Sequence, residues 1–321
     1  MSHIPVLLKE VINYLSPKPN QNFIDCTIGG GGHALRIIAL TKPTGRLLGI
    51  DLSKEVIEEL TKIKKTAKRE FRQKSEQKKL KIKNRLILVN DNFVNLKKIV
   101  KKYNFKNVAG VLLDLGLSTD LLEKSGKGFS FQKDEFLDMR YGKKGITAYE
   151  IVNQYRKNEL EKIFREYGEE KFARPIARNI IERRRQKKIK TTKELTEVVD
   201  EVLKNLKVYH LKFKLKTLAR VFQALRIVVN DELENLKKVL PQAIDILLPG
   251  GRLVIISYHS LEDRIVKNFF RQKEKEKILK ILTKKPIRPS EEEIKTNPRS
   301  RSAKLRAAKK IKTKNQKPIT N

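Results

Sequence analysis

Five short apolar runs, each ending on a polar residue, limit what this chain can fold into. They are "NFIDC" (22–26), "RLLGID" (46–51), "RLILVN" (85–90), "VAGVLLD" (108–114) and, much later, "GRLVIIS" (251–257). Helical or basic segments separate the first four. Continuous β-branched and leucine-rich runs alternating with helices predict a parallel sheet covered on both faces. The runs end at Asp25, Asp51, Asn90, Asp114 and Ser257. Open α/β sheets bind ligands outside the carboxyl ends of their strands. Three aspartates in register at that edge mark it as the site.

More than a hundred residues of helical periodicity lie between the fourth and fifth runs. Within 148–186, Ile151, Val152, Tyr155, Leu160, Ile163 and Phe164 recur at helical spacing. A helix is expected over 191–206 with Thr192 as its N-cap. Pro241 is expected to kink or restart the helix that returns to the sheet. "SLED" (260–263) reads as a capping box, and 5–15 as an amphipathic helix with Val6, Leu7, Val11, Ile12 and Leu15 on one stripe. The expected organisation is an α/β domain over 1–125 and 218–290, a helical insertion for substrate recognition over 126–217, and a basic C-terminal tail over 291–321.

The chain has 321 residues, 39% of them apolar, and a net charge of +36 from 73 Lys and Arg against 37 Asp and Glu. A fold with this much charge repels itself unless a polyanion neutralises it. Nucleic acid is the first candidate partner and an anionic membrane surface the second. Lysine-biased composition could explain the run at 61–83. It does not explain the stretch from Ile294 on, which has ten Lys and Arg and no acid; the end of that stretch is expected to lack order without a partner. Cys26 is the one cysteine, so no intrachain disulfide can form, as suits a reducing compartment. "MSHIPVLLKEVINYL" suits neither a signal peptide nor a membrane span, so a cytoplasmic protein is expected. One cysteine and four scattered histidines offer no metal-ligand spacing.

In "FIDCTIGGGGHA" (23–34) the first run breaks into four glycines. Gly29 to Ala34 satisfies G-x-G-x-x-A. Glycines let the backbone turn tightly beside a ligand, and the following helix N-terminus favours negative charge. Asp51 follows Gly29 by 22 residues, where a carboxylate can accept both ribose hydroxyls of an adenosine. Turn and acid specify an adenosine-bearing ligand without choosing between NAD and S-adenosylmethionine. No Lys-Ser/Thr pair follows the glycines, which excludes a P-loop.

"LLPGGRLVIIS" (247–257) combines a helix end, a Pro-Gly-Gly turn and a strand, an arrangement recurrent in S-adenosylmethionine-dependent methyltransferases. With "DCTIGGGGHA", "GID", "NF" and "GVLLDLGLS" in order, the chain resembles the ribosomal RNA small subunit methyltransferase H family, also called MraW. The resemblance runs nearly end to end, through "HIPVLLKEV" (3–11), "GKGFSFQKDEFLDMR" (126–140), "YGEEKFARPIARNI" (167–180), "FQALRIVVNDELE" (222–234), "ISYHSLEDRIVKNFF" (256–270) and "NPRSRSAKLRAA" (297–308). It implies a class I S-adenosylmethionine-dependent methyltransferase fold, Rossmann-like with a mostly parallel sheet and a helical insertion. The implied activity is methylation of N4 of a cytidine in the decoding region of 16S rRNA. The implied partner is 16S rRNA or the small ribosomal subunit, with no membrane or DNA. Gly31, Gly32 and His33 match the cofactor-contacting turn, Asp51 the ribose-binding acid, Phe93 the residue lining the adenine, and Asp114 the acid ending the fourth strand. The chain departs from the family where Leu121 replaces a cofactor-contacting glutamine, Asp91 a glycine, and "KTLAR" (216–220) a His-Pro-Ala-Thr-Arg run.

The exocyclic amine of cytosine is a poor nucleophile, so the protein must hold it in line with the activated methyl. An acceptor for an N4 proton would help free the lone pair. Asp114 begins "DLGLS", without the prolyl pair and aromatic many amino-methyltransferases carry there, so it either binds the methionine end of the cofactor or accepts that proton. His259 is the second candidate base. Phe129, Phe131 and Tyr258 are candidates to stack on an extruded base. The competing readings are a NAD-dependent oxidoreductase and a ribosome-binding factor without activity, the latter resting on Leu121.

Overall fold

The computed structural model describes residues 4–66, 84–117, 119–123, 125–208 and 210–311. Much of the lysine run and the end of the expected tail, 67–83 and 312–321, lie outside the described residues. The chain forms two units, Met1–Gly116 with Glu234–Asn321, and Leu117–Leu233. The helical unit thus runs from 117 to 233, where the sequence suggested 126–217.

The first unit is built on strands β1 (Asn22–Asp25), β2 (Leu47–Asp51), β3 (Leu86–Asn90), β4 (Val108–Asp114), β5 (Leu247–Ser257), β6 (Leu279–Ile281) and β7 (Lys304–Lys310). Their order is β3-β2-β1-β4-β5-β7-β6. The first five run parallel, and β7 lies antiparallel between β5 and β6. This is the doubly wound class I methyltransferase sheet that the resemblance implied. Successive side chains of a strand face opposite sides, and the cores divide accordingly. Ile24, Leu48, Ile50, Val111, Leu113, Leu253 and Ile255 pack with Leu96 and Ile99 of α4 (Leu96–Lys102), Val239 and Leu240 of α11 (Glu232–Ile246) and Phe270 of α12 (Ser260–Lys275). Phe23, Leu47, Leu112, Val254 and Ile256 face α1 (Leu8–Leu15), α2 (Gly32–Leu40) and α3 (Lys54–Thr66) through Val11, Leu15, Ile37, Val56 and Leu60. Burial on both faces is why these strands read as unbroken apolar runs.

Three local expectations change. α11 continues through Pro241, because Val239, Leu240, Ala243 and Ile244 on either side are buried against the sheet. Residues 291–311, expected as tail, instead form α13 (Glu291–Thr296), a 3-10 turn (Pro298–Ser302) and β7. Leu305, Ala307 and Ala308 of β7 are fully buried, and Arg306 makes a two-bond ion pair with Asp263 of α12 at 2.6 and 3.1 Å. The box at α12 is not Ser260–Asp263. Glu262 accepts the backbone N–H groups of Tyr258 and His259 at 2.8 and 3.4 Å.

The second unit holds α5 (Thr119–Glu123), α6 (Ala148–Gln154), α7 (Lys157–Glu166), α8 (Ala173–Gln186), α9 (Thr192–Asn205) and α10 (Leu211–Asn230). Leu160, Phe164, Ile176, Ile180, Leu195, Val199, Leu203, Val221 and Leu225 form its core. Thr191, not Thr192, caps α9, in a box with Glu194. Thr192 is the first helical residue; it is buried and its hydroxyl donates to the Lys133 carbonyl. No described helix is long and apolar enough to cross a membrane.

Candidate active site

The carboxyl edge of the sheet gathers the expected residues in the first unit. β1 ends at Asp25, and the chain turns through Gly29 and Gly31 at φ of 48° and 79°, a region where a side chain is strained. Gly31 caps α2. A Cβ on Gly32 would stand 3.0 Å from Pro5. The turn therefore needs small residues at its bends and where the N-terminal segment crosses it.

Asp51 is held by the turn it faces. Its Oδ2 accepts the Gly29 N–H at 2.9 Å and its Oδ1 accepts the Ser53 N–H at 2.9 Å. Each oxygen keeps a lone pair, so the carboxylate is fixed and can still accept two hydroxyls. Burial pushes its pKa above the usual carboxylate value, against the pull of the Ser53, Gly29 and Leu52 N–H groups. Asn90 does not point to a ligand. Its amide donates to the Asp51 and Leu52 carbonyls at 3.1 and 2.9 Å and braces the β2 end.

Phe93 opens a 3-10 turn after β3 and lies half-buried beside the core. Asn92 caps that turn, its side chain accepting the Val94 N–H at 3.0 Å. Asp91, in place of the family's glycine, accepts from Asn92 N–H and the Asn95 amide at 2.7 and 2.9 Å, so this departure tightens the turn that presents Phe93.

Asp114 and His33 come together. His33 is buried, with Nε2 2.9 Å from the Val6 carbonyl oxygen. A carbonyl only accepts, so Nε2 carries the proton. Nδ1 then faces the Asp114 Oδ2 at 3.9 Å. Asp114 Oδ1 accepts the Gly116 N–H at 3.3 Å, and the Asp114 N–H donates to the Thr27 hydroxyl at 2.7 Å. Asp25 is 2% exposed and accepts the Thr27 N–H at 3.1 Å. Burial raises its carboxyl to about 7, opposed by the Thr27 N–H and reinforced by the charges on Asp114 and Asp51.

Of the remaining candidates, Tyr258 stands beside Asp114, and the others fall elsewhere. His259 is 9% exposed at the start of α12, with Nε2 3.1 Å from the Glu262 Oε1 but off the line of a hydrogen bond. Among the described residues no hydrogen bond or ion pair joins it to Asp114. The Ser257 hydroxyl is buried without a hydrogen bond among the described residues. Tyr258 lies against Gly116, where a Cβ would meet its ring at 2.8 Å. Burial, with the negative charge of Asp114, holds its phenol well above the usual value. It is packed into the site wall rather than presented as a stacking platform. Phe129 and Phe131 belong to the helical unit's packing, Phe129 stacked on Tyr141 at 5.7 Å and Phe131 edge-on to Phe222 at 5.5 Å. Leu121 packs half-buried on the same core. In "KTLAR", Thr217 and Leu218 are buried and Arg220 lies 3.4 Å from the buried Glu170.

Sequence reasoning missed Thr27 and the Val6 carbonyl, which orient Asp114 and His33. Thr27 sits in the quoted turn, where a hydroxyl beside two strand-end acids is a usable signal. A backbone carbonyl leaves none.

The MraW methylase family matches residues 1–311. A "Ribosomal RNA small subunit methyltransferase H" of Persephonella marina is 44% identical over 313 residues, covering 97% of this chain and all of that one. Its counterpart from Caldicellulosiruptor saccharolyticus is 42% identical over 325 residues, covering 96% and 99%. Among solved structures, an rRNA methylase from Streptococcus thermophilus aligns at a TM-score of 0.43 and 10% identity, covering 97% and 99%.

Proposed function

The chain belongs to the MraW methylase family, and on that premise we propose that it transfers a methyl group from S-adenosyl-L-methionine to N4 of a cytidine in the decoding region of 16S rRNA. The observation that carries this reading is the end-to-end match to relatives named for small-subunit rRNA methylation. The substrate implies a cytoplasmic enzyme that meets 16S rRNA or the small subunit.

The donor set fits the cofactor. Asp51 keeps two lone pairs for the ribose hydroxyls, and Phe93 stands at the neighbouring strand end for the adenine. Asp114 and His33 stand side by side, Oδ2 and Nδ1 3.9 Å apart, with the Nε2 proton given to the Val6 carbonyl. Such a pair suits an ammonium group, which the methionine end carries. When bound, S-adenosyl-L-methionine supplies a methyl activated on a sulfonium. The protein's part is to fix that end and to hold the amine in line with it, excluding water. Asp114 is accordingly assigned to the cofactor and not to the N4 proton. His259, buried and not joined to Asp114 by a hydrogen bond or ion pair among the described residues, is given no proton-transfer role.

The test is labelled methyl transfer to small-subunit rRNA, with nucleosides identified by mass spectrometry. N4-methylcytidine is expected; no transfer, or another methylated nucleoside, overturns the reading. Asp114→Asn should lower cofactor affinity about tenfold while kcat at saturating cofactor stays within severalfold. The reverse pattern would make Asp114 the proton acceptor. Calorimetric titration with NAD alongside separates the oxidoreductase alternative.

A further inference from the structure

We propose that the groove between α7 and α8 of the helical unit binds the phosphate backbone of the rRNA substrate. The proposal rests on the rRNA reading above and adds the surface that grips the RNA. The groove, of about 340 Å³, is lined by Lys157, Arg174, Arg178, Ile181, Glu182 and Arg185.

Its charge follows from how α8 is written. In "ARPIARNIIERRRQ", Ala173, Ile176, Ala177 and Ile180 face the core. Arg174, Arg178 and Arg185 fall on the opposite side and are exposed. At a rise of about 1.5 Å per residue they span roughly 16 Å of helix. Two neighbouring guanidiniums are already committed: Arg183 pairs with Glu201, and Arg184 donates to the Val152 carbonyl at 2.8 Å. Arg174, Arg185 and Lys157 make no ion pair among the described residues. Among the described residues Glu182 is the single acid lining the groove, and Arg178 takes it at 2.8 Å.

A fold that pairs most of its buried and half-buried arginines yet leaves Arg174, Arg185 and Lys157 in one concavity has kept them for an external anion. The planar fork of arginine matches phosphate oxygens. In the groove beside α12, by contrast, Arg306 is already bound by Asp263 and Glu274 lines the wall. A stretch of polyanion, rather than a single phosphate, suits guanidiniums spread along three helical turns.

The test is the salt dependence of binding to a naked small-subunit rRNA fragment. Each lost phosphate contact flattens log K against log[salt] by about 0.7–0.9. The triple variant Arg174→Gln, Arg178→Gln, Arg185→Gln should therefore flatten the slope by roughly 2–3 units. It should weaken binding at low salt roughly tenfold or more and leave S-adenosyl-L-methionine affinity unchanged. Lysine at the same three positions should keep the slope. The single variants Arg174→Gln and Arg185→Gln, at exposed helical positions, should each remove one contact, so the proposal does not depend on the triple variant folding. A triple variant with the wild-type slope on naked rRNA overturns the proposal, even if its binding to assembled subunits weakens, because the groove would then be facing an acidic protein. If wild type transfers no methyl to rRNA, the functional reading fails, and the slope still decides the groove independently.

Discussion

The sheet edge of the first unit and the α8 face of the second use charge in opposite ways. At the sheet edge Asp25, Asp51 and Asp114 are buried or half-buried, and each is held by backbone N–H groups or by a neighbour of the turn. On α8 Arg174, Arg178 and Arg185 are exposed, and among the described residues only Arg178 has a protein partner. Buried charge is costly unless fixed, but once fixed it is barely screened. Exposed charge is cheap and mobile, and salt weakens it. The first arrangement suits a small ligand read group by group, the second a long polyanion read by its backbone.

The largest expected consequence of burial is a pH dependence of stability carried by Asp25. Its carboxyl sits at about 7 in the fold, while the unfolded chain has the ordinary value near 4. Between these values the folded state holds a proton that the unfolded state has released. The stabilisation is full below about pH 4, falls as pH rises through about 7, and is flat beyond, a loss on the order of 4 kcal/mol. Asp25→Asn should remove this slope. Urea unfolding of both proteins from pH 4 to 8, without cofactor, checks it through their difference. Equal slopes would show that burial at the edge does not act as described, and the contrast with α8 would lose its electrostatic basis.

Next in size is Asp51→Ala. Charge-assisted hydrogen bonds to two ribose hydroxyls are worth roughly 1.5–3 kcal/mol in all, or about ten- to a hundredfold in cofactor affinity. Calorimetry at low and high salt should give nearly the same loss, since this carboxylate is shielded. A loss that shrank steeply with salt would put Asp51 in the same class as the α8 arginines.

Much of this edge was readable because parallel strands buried on both faces leave unbroken apolar runs, and the polar residue that ends each run marks the edge. Asp25, Asp51 and Asp114 were found in this way. The glycine turn was equally plain, since φ above zero at Gly29 and Gly31 demands that residue type. The family resemblance, rather than periodicity, supplied His33 and Phe93. β7 was missed because "KLRAAKK" buries only Leu305, Arg306, Ala307 and Ala308. Its alanines carry little strand signal, and a buried arginine paired to Asp263 looks in sequence like any other basic residue. The same blindness made Phe129 and Phe131 candidates for base stacking, since a sequence shows an aromatic ring but not the Tyr141 or Phe222 already against it. It also hid which α8 arginines lack partners among the described residues.

The smallest predicted effect separates two kinds of basic residue that the sequence places in one class. Lys310 belongs to the stretch first read as loose tail, yet its ammonium donates to the Ile244 and Leu247 carbonyls at 2.8 and 2.7 Å, at the end of α11. The last carbonyls of a helix have no partner within it, and a cation there offsets the helix dipole. Lys310→Met keeps the apolar stem and removes only the cation. It should lower stability by about 1 kcal/mol and leave the rRNA salt slope untouched, the mirror image of Arg174→Gln. A truncation at Lys309 would remove this cap and the last rungs of β7 with Arg252 of β5 and Leu279 and Lys280 of β6, confounding lost fold with lost charge. One meant to test residues beyond the sheet should begin after Ile311. Denaturant midpoints and salt slopes measured on both point variants decide the matter. If Lys310→Met flattened the slope and spared stability, position in the fold would not be what separates structural from RNA-binding charge here.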